Sequence, residues 1–165
     1  MKTYRAIILI LTLTIGLTSC EQERLEPVLT TAEGGGTLNT YMAYTIESTD
    51  PMGSNVYGRV VFYKTTLDQT LVQVSLYNTI DEIMHPAIIL SGAVGDETTT
   101  MTELDDIDGS TGEFSSSKFF VVTDESYYDS LADLDAHINI YLSSADDTIV
   151  ASGDIGANAE PVETN

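Results

Sequence analysis

The stretch Thr70-Leu71-Val72-Gln73-Val74-Ser75-Leu76-Tyr77-Asn78 alternates without a break. Val72, Val74 and Leu76 fall on one side and Leu71, Gln73, Ser75 and Tyr77 on the other, the two-residue period of a strand with one buried face. Upstream, residues 56–64 are rich in the β-branched and aromatic side chains that pack well on a pleated surface. Residues 38–47 alternate again, with Leu38, Met42, Tyr44 and Ile46 opposite Asn39, Tyr41, Ala43 and Glu47. Asp50-Pro51 and Gly53 supply the turn between these two segments.

Downstream the same grammar continues. Ala87–Ser91 is a short apolar strand entered through Pro86 and left through Gly92 and Gly95. Residues 98–107 and 114–123 read as two strands around the turn Asp108-Gly109-Ser110-Thr111-Gly112. Residues 136–142 place Ala136, Ile138, Ile140 and Leu142 inward, and residues 148–155 close the set. The exception is 124–135, where Tyr128, Leu131 and Leu134 recur every three residues and predict one short helical turn behind Asp124. Roughly eight short strands at ~10–15-residue spacing, with no long helix, predict an all-β fold, an antiparallel sandwich or barrel. The domain is expected over residues 37–157, followed by a frayed acidic tail at 158–165.

Composition sets the chemical context. The chain has 165 residues, 6 Lys+Arg against 26 Asp+Glu, and a formal charge of -20, enough for one domain with a modest core. No basic run offsets the acids, so a nucleic-acid partner is excluded on electrostatic grounds. At 42% apolar residues the chain is too hydrophobic for a disordered acidic tail, and the charge must decorate a folded body.

The N-terminus states a destination. Lys2 and Arg5 precede an apolar stretch at 6–17, and Leu17-Thr18-Ser19 leads to the chain's single cysteine, Cys20. This is the layout of a secretory signal, and the stretch falls short of the ~20 residues a membrane-crossing helix needs. Its end resembles the lipobox of bacterial lipoproteins, in which the signal is cut before a diacylated cysteine. The resemblance implies a signal peptide at 1–19, lipidation at Cys20, a tether at 20–36 and attachment to a membrane through the N-terminal lipid. It places the protein in the bacterial cell envelope, at the outer membrane. Pro27 and Gly34-Gly35-Gly36 suit a flexible spacer. The triple glycine lacks the preceding strand and following lysine of a phosphate loop.

Several strings line up with a known family. Gly58-Arg59-Val60-Val61-Phe62, His85-Pro86-Ala87, Asp108-Gly109-Ser110-Thr111-Gly112, Tyr128 with Leu131, and His137-Ile138-Asn139-Ile140-Tyr141-Leu142-Ser143 resemble, in order and spacing, the CHRD (chordin-type) domain of bacterial lipoproteins. So does the closing run from Thr148 to Gly156, with its Gly153-Asp154-Ile155-Gly156 ending. The resemblance implies an immunoglobulin-like β-sandwich or barrel. Where such domains often carry His-x-His and Asn-Val-His, this chain has Ile88, Leu90 and Tyr141. A metal role guessed for the family is therefore not carried over. His85 and His137 occupy other positions and read as surface or turn residues.

Catalytic constellations are not found. There is no Gly-x-Ser-x-Gly, and neither histidine comes with a paired serine, so the chain reads as a non-catalytic binding or structural module rather than an enzyme. With 26 acids, a chance pair at glycosidase spacing carries no information, which leaves a carbohydrate-active enzyme as a remote alternative. No cofactor is implied. The one ion that acidic loops suggest is calcium: Asp105, Asp106 and Asp108 partly echo a calcium loop, as in an adhesion or matrix module. However, Leu104 takes the first ligand position and the distal Glu is out of register. The same acids suit a soluble turn. Tyr41, Tyr57, Tyr63 and Tyr77 fall opposite the expected core, where rings can stack on a glycan or dock on an envelope or extracellular protein.

Overall fold

The computed structural model describes residues 38–96 and 98–163. The signal peptide at 1–19, the lipidation site Cys20 and the tether at 20–36 lie outside the described residues.

The chain is all-β and sandwich-like, with one short helix. Its strands are β1 (Thr40–Ser48), β2 (Tyr57–Lys64), β3 (Thr70–Tyr77), β4 (Met84–His85), β5 (Ala87–Ser91), β6 (Thr100–Glu103), β7 (Ile107–Asp108), β8 (Glu113–Phe114), β9 (Phe120–Val122), β10 (Asp135–Ser143) and β11 (Asp146–Gly156). A curled antiparallel sheet runs in the order β6-β5-β10-β11-β1-β2-β3-β9, and β4-β7-β8 form a small second sheet.

Register explains the core. Met42 pairs with Phe62 and Phe62 with Val72, while Tyr44 pairs with Val60 and Val60 with Val74. Apolar rows therefore run across three strands on one face. They meet Ile89, Ala136, Ile138, Ile140, Ala151 and Ile155 from the other half of the sheet in one continuous buried cluster. Tyr44 and Phe62 meet edge to face at 6.2 Å. Helix α1 (Tyr127–Ser130), with a 3-10 turn at Leu131–Asp133, lays Tyr128 and Leu131 on this core. Burial pushes the Tyr127 hydroxyl up to about 12, and its oxygen has no hydrogen-bond partner among the described residues. Asp124 starts the helical segment by accepting from the Ser126 amide at 2.9 Å and the Ser126 hydroxyl at 2.7 Å, which hold its carboxyl below the usual range.

Four expectations are corrected. The strand expected over 98–107 is two strands in two sheets. Leu104 is drawn inward, its amide donating to Ala87 O at 2.9 Å, and Asp105 turns aside to take the Ser116 hydroxyl. The segment 114–123 breaks likewise at its run of serines. The frayed tail is in part a docked one. β1 pairs with β11 only at Glu47 and Ser48, and the Val162 amide satisfies the Ala43 carbonyl at 2.8 Å.

The fourth correction concerns the histidines, which are buried rather than at the surface. His137 Nδ1 donates to Gly92 O at 2.8 Å, and His85 Nδ1 donates to Tyr141 O at 3.0 Å where β10 is irregular. β10 is a middle strand whose second face is covered by the chain leaving β5. Ring nitrogens there meet backbone carbonyls instead of water.

Candidate functional site

The outward face of β1, β2, β3 and β9 is laid out by register. One end row joins Tyr57 to Tyr77, and the next joins Thr45, Arg59 and Ser75. A third joins Ala43, Val61 and Gln73, and the last joins Tyr41, Tyr63, Leu71 and Val121. All four sequence-predicted tyrosines share this face. From Tyr57 to Tyr63 it spans about 20 Å at the strand rise of ~3.3 Å per residue.

Aromatic side chains gather at its two ends. Tyr57 and Tyr77 stack at 5.3 Å with 28° between their planes. Tyr41 and Tyr63 lie 6.0 Å apart, and Phe119 meets Tyr63 edge-on at 5.8 Å. Tyr41, Tyr57 and Tyr77 remain 40%, 43% and 55% exposed, high for rings that already have aromatic neighbours. Small apolar residues between them, Ala43, Val61 and Leu71, are buried despite pointing outward. The alternation predicted Leu71 and Ala43 for the solvent side. The direction holds, but neighbouring side chains cover them.

The charges on this face differ from those of the chain as a whole. Its outward ladder residues include one acid, Glu47 at the far end of β1, and one base, Arg59 near the middle of β2. Arg59 makes no ion pair among the described residues. At the edge, Lys118 lies 5.7 Å from the Phe119 ring centre. Lys64, at the end of β2, is engaged by both carboxylate oxygens of Asp129 at 2.7 and 2.8 Å, which raises its pKa. Gln73 accepts the Tyr63 hydroxyl at 3.3 Å.

The acidic candidates are placed differently. Asp108 Oδ1 accepts the Ser110 amide at 2.8 Å, and its carbonyl accepts Gly112 N at 2.7 Å, a turn closed on itself. Gly112 is required there, at φ 72°, because a Cβ would overlap the Leu76 carbonyl oxygen. Asp105 takes the Ser116 hydroxyl, and Asp106 is exposed. Among the described residues no three His, Cys, Asp or Glu side chains gather to hold a metal ion. A separate open cleft of about 420 Å³ lies where β1 leaves β11, lined by Glu47, Ser152, Asp154 and Glu160 among others. Asp154 there already accepts the Val94 amide at 2.7 Å.

Arg59, Phe119 and Val121 were missed by the sequence reading. The alternation Tyr57-Arg59-Val61-Tyr63 was sufficient to find Arg59. Phe119 becomes visible only once β9 is registered on β3. Comparison of the chain with protein-family models, with curated proteins and with solved structures finds no match.

Proposed function

We propose that this protein is a lipid-anchored, non-catalytic binding module of the bacterial envelope, of the CHRD type, and that the tyrosine face is its binding surface. The observation that carries the reading is the concentration of half-exposed rings on one sheet face that, in an acidic chain, bears a single acid along its ladder. Large aromatic side chains left in water at low conformational-entropy cost are what interaction surfaces are made of. The carboxylates nearest to a calcium-loop pattern are occupied by their own turn, and the buried histidines by backbone carbonyls. The lipobox-like Leu17-Thr18-Ser19-Cys20 supports the anchor, with a long spacer holding the face away from the membrane.

Two measurements test this. Replacing Cys20 by Ala in the producing cell is expected to move the protein from the membrane fraction to the soluble one; unchanged retention would contradict the anchor. The purified chain is expected to be retained on an isolated envelope fraction, and Tyr41→Ser/Tyr57→Ser/Tyr77→Ser to abolish that retention. Equal retention of the triple variant would remove the tyrosine face from the proposal.

A further inference from the structure

The arrangement of the face also points to what it holds. An interface for a folded protein concentrates apolar side chains at its centre and polar ones at its rim. This face is built the other way round. Its ends are aromatic, Tyr57 with Tyr77 and Tyr41 with Tyr63 and Phe119, while the rows between carry Thr45, Arg59, Ser75 and Gln73. Such an order suits a ligand that is itself amphipathic at every repeat, with an apolar ring face to stack and a polar edge to hydrogen-bond. A sugar chain has that character. The face is open and about 20 Å long, so it fits an internal stretch of a linear polymer rather than a single terminal residue.

Charge narrows the class. The guanidinium of Arg59 has no ion-pair partner among the described residues, and Lys118 stands at the edge beside Phe119. The three basic residues in the described chain, Arg59, Lys64 and Lys118, all lie on or beside this half of the sheet, and Lys64 alone is paired. A planar fork of N–H donors matches a carboxylate in two-point geometry. Repulsion from the many acids elsewhere fades over the Debye length of about 8 Å at physiological ionic strength, so an anion seated at Arg59 responds mainly to the local face.

We propose that the tyrosine face binds a linear polysaccharide whose sugars carry carboxylates, with rings stacked on the two aromatic ends and a carboxylate at Arg59. This rests on the reading of that face as the binding surface and goes further in naming the ligand.

The test titrates the purified chain by calorimetry with polygalacturonate and with its fully methyl-esterified form, which keeps the backbone and removes the charge. Polygalacturonate is expected to bind, and the ester at least about tenfold more weakly, the scale of one charge-assisted contact. Arg59→Gln is expected to weaken polygalacturonate binding by a similar factor with an unchanged melting temperature. Should Arg59→Gln disturb the sheet, Arg59→Lys keeps the charge without the fork and is expected to fall between the two. Equal binding of acid and ester, full binding by both Arg59 variants, or no binding of either polymer would overturn the assignment. If the polymers do not bind while retention on the envelope still depends on the tyrosines, the glycan assignment fails and the binding-face reading survives. Loss of both would remove both.

Discussion

The two halves of the sheet turn opposite kinds of residue outward. Behind β10 and β11 the outward positions are polar, His137, Asn139 and Ser152, yet they are buried. Each is satisfied internally: His137 on Gly92 O, and the Ser152 hydroxyl on Asn139 Oδ1 at 2.6 Å and Ile138 O at 3.2 Å. Across β1, β2 and β3 the outward positions include large rings, and these are exposed. Polarity alone would have assigned the two faces the other way. A buried polar layer with every partner supplied is a structural device, whereas exposed rings with no cover are available to something else.

The comparison can be broken or sharpened by substitution. The largest effect is expected on the shared inner face: Ile138→Ala leaves a cavity at a fully buried site and should cost about 2–5 kcal/mol in denaturant unfolding. A loss below about 1 kcal/mol would mean that the halves do not share one core.

Next comes Tyr127. Its hydroxyl is neutral when folded and pushed up to about 12, against 10.0 for an ordinary tyrosine. The unfolded chain therefore loses its proton first, and stability should fall as pH rises through that interval, by up to about 3 kcal/mol. Tyr127→Phe should flatten the fall and cost little at neutral pH, because the oxygen it removes has no hydrogen-bond partner. An unchanged alkaline slope in thermal melts would contradict this.

Third, Asn139→Ala strips the acceptor from the Ser152 hydroxyl in the buried polar layer and should cost about 1–3 kcal/mol. The smallest change is expected on the exposed face. Tyr57→Ser or Tyr77→Ser breaks one ring stack, about 0.5–1.5 kcal/mol, and should reduce envelope retention far more than stability. If the exposed substitutions cost more than Asn139→Ala, the rings are structural and the contrast between the faces collapses.

How much of this was legible follows from what local periodicity encodes. The alternation of residues 70–77 gave β3 its inward Val72, Val74 and Leu76, and Ala87–Ser91 was bounded correctly by its proline and glycine. The same parity put the four tyrosines on one face, since register preserves the side on which a residue lies. Cover was not legible. Leu71, Ala43 and His137 all point outward and are buried, because what lies over them comes from segments distant in the chain. The break at Leu104 was hidden for a similar reason: strand propensity runs through it, and only the pairing of its amide with Ala87 diverts the chain into the second sheet.

The central claim is that the exposed aromatic face, and no other surface, meets the envelope. Hydroxyl-radical footprinting of the chain alone and mixed with the envelope fraction tests it most directly. The account predicts that Tyr41, Tyr57 and Tyr77 react readily in the free chain and become protected in the mixture, while buried Tyr44 and Tyr128 stay unreactive in both. Protection confined to the cleft around Glu47, Asp154 and Glu160, with the three tyrosines still reactive, would contradict it.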